Sequence, residues 1–288
     1  MDRRRLLMDG GGGSSGTSRI EYLESDGNQY IDTGKIMKSN SSFVYSFAIT
    51  DLSKLAGVMG ARKSTSSGHM CNVFTQNNKL RLDLRQNTTT YASIDQGVRY
   101  DLHYRYYNSV QFIRISSHAS YGWNYDFNTS MFLFTFSDTN GSATGYGGAP
   151  QRVYGYKMYT GEDLKLVMDL IPYKYDGEGC MYDRVSGEYF FNLGTGSFTC
   201  GPEVSEDYVG MMKFFIWRDG KTLTYTVPED MTWADFIDSG YNDLGLYANT
   251  GSSSKIIFDS SNYMLQDWDY SYIYPNDPIG RNIEYFLS

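Results

Sequence analysis

Short runs of β-branched and aromatic residues, separated by turn signals, recur along the chain from Ile20 onward. Phe43–Ile49 and Val110–Ile115 are two such runs, while Lys79–Arg85 alternates apolar and charged residues without a break. Alternation with a period of two is typical of a strand that has one face on a core and the other in water. The asparagines of Gln76–Asn78 favour a hairpin turn just before that strand. The pattern therefore predicts many short strands, as in a β-sandwich or jelly roll.

Two further strands are predicted at Met131–Phe136 and Arg152–Tyr159, which have the same composition. In the part of the chain that precedes Pro202, Gly161–Leu166 is the one segment in which we expect a short helix. Aromatic residues make up 16% of the chain and charged residues 20%, and there are 30 glycines. This composition favours strands and turns and argues against a helical bundle.

The length of 288 residues favours one large domain followed by a small one. The chain changes character at Pro202–Asp207, where an acidic stretch follows the break at Gly201-Pro202. We therefore expect a jelly-roll domain at 19–204 and a small acidic α+β domain at 205–288.

The small domain carries two clear local signals. Met212–Trp217 and Thr222–Val227 flank Asp219-Gly220, a strong signature of a β-hairpin. Thr232 has the character of a helix N-cap, with Asp235 at the third helical position. The hairpin and the helix should pack together as one core. The apolar positions of that helix are Trp233, Phe236 and Ile237.

The first 18 residues have a different composition. Residues 10–18 contain only Gly, Ser and Thr, which predicts a flexible linker, so residues 1–9 form a tethered peptide. It is either an anchoring arm that docks on a partner or a disordered tail or cloning remnant. The apolar stretch Leu6–Met8 is too short for a signal peptide or a membrane span. The candidate docking residues are Arg3, Arg4, Arg5, Leu6 and Leu7.

The net charge of −8 lies entirely in residues 205–288, which contain 13 acidic and 5 basic side chains. The compact basic run is Arg3–Arg5, too little for a nucleic-acid groove, so neither nucleic acid nor a membrane is an expected partner. We expect the acidic end to face solvent and the basic arm to point inward in an assembly.

Cys71, Cys180 and Cys200 lack the spacing of a zinc site or a disulfide framework and are expected to be reduced. Pairing of Cys180 with Cys200 stays open. Neither a metal nor another cofactor is predicted. Two acidic pairs, Asp267 with Asp269 and Asp176 with Glu178, are alternatives for calcium, although solvation alone explains them.

Signals of catalysis are weak. The Glu-x-Asp-x-Glu run of a glycoside hydrolase is absent from the sequence. Asp83, between Arg81 and Arg85, is interpreted as part of a solvated row of ion pairs. The three histidines, His69, His103 and His118, are too scattered for a triad. A protein without enzymatic activity is therefore expected, with a hydrolase as the weakest alternative.

Tyr, Trp and Gly concentrate in Tyr121–Tyr125 and Gly145–Gly148, where exposed rings are able to stack on sugars. The candidate glycan contacts are Trp123, Tyr125 and Tyr146. The competing explanation is that the rings cover the core or a subunit interface.

Four segments carry a resemblance to a known family. Ile20–Gly34 resembles the opening strand, and Asp169–Pro172, Gly179–Gly187 and Phe191–Phe198 resemble the end, of concanavalin-A-like, laminin-G-like jelly-roll domains in proteins of gut bacteria and their phages. Val227–Asn242 is similar to an accessory module that often follows such domains. The Arg-rich, Gly-linked start is similar to the starts of phage-encoded relatives.

The resemblance implies a virion structural protein of a tailed phage, such as a head fibre, a capsid decoration or a tail-fibre-associated subunit. Such a protein is made in the bacterial cytoplasm, forms a homo-oligomer and docks on other virion proteins, here through its arm. The same fold also hosts carbohydrate-binding modules that recognise bacterial surface glycans in host attachment, which is the rival function.

Overall fold

A computed structural model describes residues 5–7, 16–62, 70–84, 89–104, 110–112, 115–116, 127–138, 141–143, 147–161, 165–206, 210–218, 220–248, 256–258, 263–266, 273, 279 and 284–287. The chain divides into two compact units. Unit 1 contains residues 1–99 and 121–206, and unit 2 contains residues 100–120 and 207–288. The predicted mainly β fold is confirmed, since the described residues form 24 strands and one short helix.

The strands are β1 (Arg5–Leu7), β2 (Ser18–Arg19), β3 (Leu23–Ser25), β4 (Ile31–Ile36), β5 (Ser41–Ile49), β6 (Ala56–Arg62), β7 (Met70–Gln76), β8 (Lys79–Leu84), β9 (Thr89–Ala92), β10 (Tyr100–Tyr104), β11 (Val110–Phe112), β12 (Ile115–Ser116), β13 (Ser130–Leu133), β14 (Gln151–Thr160), β15 (Lys165–Tyr175), β16 (Glu178–Asp183), β17 (Glu188–Phe191), β18 (Thr199–Cys200), β19 (Met211–Arg218), β20 (Lys221–Pro228), β21 (Leu246–Ala248), β22 (Ile256–Phe258), β23 (Tyr263–Gln266) and β24 (Glu284–Leu287). The helix α1 spans Trp233–Asp238.

Unit 1 contains two antiparallel sheets. One has the strand order β1-β17-β16-β15-β14-β5, with β2, β3 and β18 pairing beside it. The other has the order β4-β13-β6-β7-β8-β9. Asn77 and Asn78 both have positive φ, at 54° and 58°, and they join β7 to β8 as a two-residue turn. This is the backbone geometry that matches the twist of a hairpin, and it confirms the predicted turn.

The inner faces of these two sheets share a buried core. Tyr45 on β5 and Tyr156 on β14 are at most 1% exposed, as are Val58 and Cys71 on the facing sheet. Gln151 lies between the sheets: its Nε2 donates to the Val58 carbonyl at 3.0 Å, and its Oε1 accepts from the Tyr45 hydroxyl at 2.8 Å. A buried amide with both ends hydrogen-bonded ties the layers together without a polar penalty.

The opening and closing segments of the family resemblance contact each other. Gln29 donates from Nε2 to the carbonyl of Thr195 at 3.0 Å, and the Tyr30 amide donates to Oδ1 of Asn192 at 3.1 Å. In the closing segment, Asp183 is fully buried and accepts hydrogen bonds from three groups in and beside the β16–β17 turn. The residues of the resemblance are thus explained by the architecture of unit 1.

In unit 2, β10, β11 and β12 form antiparallel pairs, and a six-stranded sheet has the order β20-β19-β24-β23-β22-β21. The predicted hairpin is confirmed as β19 and β20, with Gly220 at φ 76° in its turn. The predicted helix is also confirmed, because Thr232 and Asp235 form a complete capping box. Trp233 and Phe236 are both fully buried and pack edge-to-face on Phe214 of β19, so the hairpin and the helix share one core.

One predicted element is wrong. Gly161–Leu166 is not a helix, because β15 begins at Lys165 and pairs with β14 through Thr160↔Lys165. Only the four residues 161–164 then remain to connect two adjacent antiparallel strands, which is too short for a helix. Within the described ranges, no helix is long and apolar enough to cross a bilayer.

Candidate functional site

The predicted docking arm lies partly within the described residues. Arg5, Leu6 and Leu7 form β1, which pairs antiparallel with β17 in the register Arg5↔Phe190 and Leu7↔Glu188. Arg3 and Arg4 lie outside the described residues. The structure therefore places this part of the arm as an outer strand of a sheet of unit 1, a position that the composition of the first nine residues does not indicate.

The three predicted glycan contacts, Trp123, Tyr125 and Tyr146, also lie outside the described residues. The tyrosines that are described mostly pack inside the protein. A cluster on β15, β16 and β17 brings together Tyr173, Tyr182 and Tyr189, with ring centroids 4.9–6.1 Å apart. Burial there raises the pKa of Tyr189 to about 12. These three rings pack within the fold, while the contacts predicted for Trp123, Tyr125 and Tyr146 stay a prediction.

A small cleft lies on β6, β7 and β8, on the face opposite to the buried Leu80 and Leu82. Its volume is about 200 Å³. Neighbouring strands and the segment after β13 each contribute side chains, so the cleft depends on strand pairing rather than on any single motif. The side chains used below are those of Arg62, Phe74, Gln76, Arg81, Asp83 and Phe136.

All three nitrogens of the Arg81 guanidinium donate hydrogen bonds to neighbouring side chains. Its Nε donates to Oδ1 of Asp83 at 2.8 Å, its Nη2 to Oδ2 of Asp83 at 2.9 Å, and its Nη1 to Oε1 of Gln76 at 2.8 Å. The same guanidinium lies 4.7 Å from the ring centroid of Phe74, its cross-strand neighbour. A guanidinium held in this way is a fixed surface with little rotamer entropy left to lose.

The predicted ion pair between Arg81 and Asp83 is thus confirmed, but its description as a solvated row is wrong. The Asp83 side chain is only 10% exposed and that of Arg81 26% exposed. The two side chains form a wall of the cleft, because Phe74 and Gln76 of the adjacent strand cover them. Arg85, the other predicted member of the row, lies outside the described residues.

The second arginine of the cleft, Arg62, has a different environment. Its guanidinium lies 5.0 Å from the ring centroid of Phe136. The side-chain amide of Asn72 has partners for both its oxygen and its nitrogen in one orientation. In that orientation its oxygen accepts from Nε of Arg62 at 2.8 Å and its nitrogen donates to the Ala61 carbonyl at 3.2 Å. Within the described part of the chain, no carboxylate pairs with Arg62. The described neighbours of Arg62 therefore orient its side chain but do not neutralise its charge.

Backbone geometry makes room for the aromatic part of the cleft. The rings of Phe74 and Phe136 are 6.2 Å apart and tilted by 49°. A side chain at Gly57 would meet Cδ1 of Phe136 at 2.9 Å, so the absence of one leaves space for that ring. Phe136 reaches β6 through a bridge to Gly60. Sequence reasoning missed Arg62, Phe74 and Phe136, because no local pattern connects residues that are up to 74 positions apart.

The described part of the chain contains some of the groups that the sequence offers for metal binding. No cluster of three or more His, Cys, Asp or Glu side chains occurs among the described residues. Asp176, with φ 48°, is the first turn residue between β15 and β16, while Asp267 and Asp269 lie outside the described ranges. His103 lies on β10, and His69 and His118 also fall outside the described ranges.

All three cysteines are free thiols, as the sequence predicts. Burial raises the pKa values of Cys71 and Cys180, and it raises that of Cys200 as well. The protonated thiol is a poor nucleophile and a poor metal ligand. These cysteines are therefore not activated groups.

Comparison with known proteins gives little further identification. No protein family matches the sequence, and no curated protein matches it. One similar solved structure is that of a protein from Bacteroides ovatus described as a "putative carbohydrate binding protein", with a TM-score of 0.43 and 9% sequence identity. The similar region covers 65% of this chain and 62% of that protein, less than two thirds of its length.

Proposed function

We propose that this protein is a binding protein without enzymatic activity and that the cleft of unit 1 holds a sugar residue of a glycan. The observation that carries the proposal is the arrangement of two arginines, each lying over a phenyl ring, beside a buried carboxylate and an amide. Sugars combine apolar ring faces with many hydroxyl groups, so their sites combine aromatic carbon with fixed donors and acceptors.

The size of the cleft agrees with this ligand class. A volume of about 200 Å³ is smaller than that of sites for drug-sized molecules, which begin at roughly 300 Å³. One sugar residue is therefore the unit that the cleft accommodates, while the rest of the glycan extends over the surface. The exposed Leu55 side chain, 43% accessible at the border of the cleft, offers an apolar contact for the next residue.

The carboxylate content of the cleft supports binding rather than hydrolysis. Glycoside hydrolysis requires two carboxylates on opposite sides of the scissile bond. Asp83 is the one carboxylate among the described lining residues, and both of its oxygens are engaged by Arg81. A group held in this way positions a ligand but is poorly placed to transfer a proton.

A glycan array followed by calorimetric titration tests the proposal. Arg81→Gln should weaken the binding of any glycan hit at least tenfold, and Gln76→Ala, a milder change, should weaken it by less. Lys79→Gln is the matched control, because Lys79 is exposed on the same hairpin and does not line the cleft. Unchanged affinity in a folded Arg81→Gln protein would refute the assignment of this cleft.

A second candidate function, a phage virion structural protein, is favoured by a separate observation. β1 adds to the outer edge of β17 through backbone pairing, and ten residues, 8–17, connect it to β2. Ten residues span at most roughly 33–36 Å, enough for such a strand to reach a neighbouring protein. Strand addition to a sheet edge is a recurrent way of docking.

Deletion of residues 1–18 tests this second function. The shortened protein should stay folded and lose incorporation into phage particles, and normal incorporation would count against docking through the arm. The two functions separate in one comparison. Glycan binding that is lost in Trp123→Ala or Arg81→Gln favours a carbohydrate-binding adhesin, whereas incorporation without any glycan signal favours a scaffold.

A further inference from the structure

We infer that the cleft selects a sugar that carries a carboxylate, and that Arg62 is the residue that recognises its charge. This inference rests on the proposed glycan-binding function and names the class of glycan. It starts from a charge count within the cleft. The described lining contains two guanidinium groups, Arg62 and Arg81, and one carboxylate, Asp83.

The charges of Arg81 and Asp83 cancel within their ion pair. Three nitrogens of Arg81 are used by Asp83 and Gln76, and both oxygens of Asp83 are used by Arg81. This pair contributes no net charge to a ligand. The positive charge that remains in the described lining therefore belongs to Arg62.

Asn72 and Phe136 hold the Arg62 guanidinium, and its outer edge meets no acceptor from the described residues. Its Nε donates to Asn72, and its plane lies near the Phe136 ring. Among the described residues, none accepts a hydrogen bond from either Nη group. Two parallel N–H groups on a planar fork match the two oxygens of a carboxylate.

The fixed orientation of Arg62 decides between charged and neutral sugars. A free arginine loses rotamer entropy when it binds an anion, but Asn72 and Phe136 already restrict this side chain. Hydroxyl oxygens of a neutral sugar also accept from a guanidinium, although more weakly than a carboxylate does. Replacing a neutral acceptor by a charged one is expected to give roughly a ten- to hundredfold preference.

The test uses oligosaccharides in matched sets: a hexuronate oligomer as the free acid, its methyl ester, its neutral hexose parent and an O-sulfated form of that parent. Titration calorimetry should show the free acid binding at least tenfold more tightly than the ester, which has nearly the same shape without the charge. Raising the salt concentration from about 0.05 M to about 0.5 M should reduce this preference, because screening weakens exposed ion pairs.

Variants assign the preference to one residue. Arg62→Gln should bring the acid and the ester to within about twofold, and Arg62→Lys should keep part of the difference. Arg152→Gln is the matched control, because Arg152 also lies over a ring, that of Tyr22, but away from the cleft. If Arg62→Gln fails to fold, the comparison of acid with ester and its salt dependence in the unmodified protein still decide.

The outcomes distinguish this inference from the proposed function. Equal binding of acid, ester and neutral parent would overturn the inference and leave glycan binding intact. Tighter binding of the sulfated form than of the acid would overturn the carboxylate assignment. Absence of binding to every glycan would overturn both proposals.

Discussion

Trp233 provides a sharp test of the core of the C-terminal sheet, because its indole is fully buried and its Nε1–H has no hydrogen-bond partner among the described residues. The ring packs edge-to-face against Phe214 and Tyr285, with centroids 5.3 and 4.8 Å away. Truncation to alanine removes these contacts and should cost about 3–5 kcal/mol of unfolding free energy. That is a large share of the roughly 5–15 kcal/mol typical of a whole protein.

Trp233→Phe should behave very differently. It leaves a cavity of roughly 30–40 Å³, which at about 24 cal/mol per Å³ costs about 1 kcal/mol, and the lost transfer free energy of the removed ring atoms adds roughly 1 kcal/mol. It also removes a buried, unpaired N–H, whose desolvation costs about 1–3 kcal/mol. The losses and this gain nearly cancel, so Trp233→Phe should be close to neutral.

The free energy of unfolding of both variants is measured in the full chain by urea titration, with near-ultraviolet circular dichroism as the signal. Hydrogen exchange of the β19 and β20 amides provides a second measurement. Trp217→Phe is the control, because Trp217 lies on the same hairpin and is 41% exposed; its change should stay within about 0.5 kcal/mol. If Trp233→Phe were as destabilising as Trp233→Ala, the unpaired N–H would not carry the cost assigned to it.

Three further predictions concern the cap of α1, a glycine of β6 and the small acidic domain at 205–288. The hydrogen bonds from Thr232 lower the pKa of Asp235, so its capping contribution should be fully present above its unfolded-state pKa of about 3.9 and lost as pH falls through the lower folded value. Thr232→Ala should cost about 1 kcal/mol at pH 7 in urea unfolding and reduce that acid dependence. Gly60→Ala should destabilise unit 1 by more than about 2 kcal/mol, because φ is +144° and the new Cβ would lie 2.0 Å from the Cys71 carbonyl oxygen. A fragment of residues 205–288 should fold alone, since the core of the C-terminal sheet already joins hairpin, helix and later strands; a cooperative urea transition checks this.

Each of these has a result that would count against it. The Thr232 backbone amide still donates to Asp235 in Thr232→Ala, so the acid dependence should shrink rather than vanish; an undiminished acid dependence would contradict the role of the Thr232 hydroxyl. Gly141→Ala is the control for Gly60→Ala, because Gly141 also has positive φ but open space around it; an equal loss in both would rule out the clash as the cause. Gradual, non-cooperative unfolding of the 205–288 fragment would contradict the prediction that this domain folds alone.

Local signals predicted the parts of the fold that local chemistry determines. The asparagines at 77 and 78 tolerate positive φ, and the Thr232 and Asp235 side chains complete a cap within four residues. The same kind of reasoning was wrong at Gly161–Leu166, because the partner strand, not the segment itself, decides its structure. Pairing of β14 with β15 outweighs the helical preference of a few residues.

The cleft was predictable only in part, for the same physical reason. Alternation along β8 places Arg81 and Asp83 on one face, and opposite charges two residues apart on a strand face form a pair. Their burial depends on Phe74 and Phe136, which come from another strand and from the segment after β13. Neither the meeting of these rings nor the orientation of Arg62 leaves a periodic trace in the sequence.

β1 and β17 pair in the folded protein, but they are synthesised at different times. Arg5 leaves the ribosome 185 residues before Phe190, its partner in the register. At synthesis rates of about 5–20 residues per second, this interval lasts roughly 9–37 s. During that interval β17, the strand with which β1 pairs in the folded protein, has not yet been synthesised. A contact between the β1 segment and another protein during that interval would therefore not have to compete with the pairing to β17.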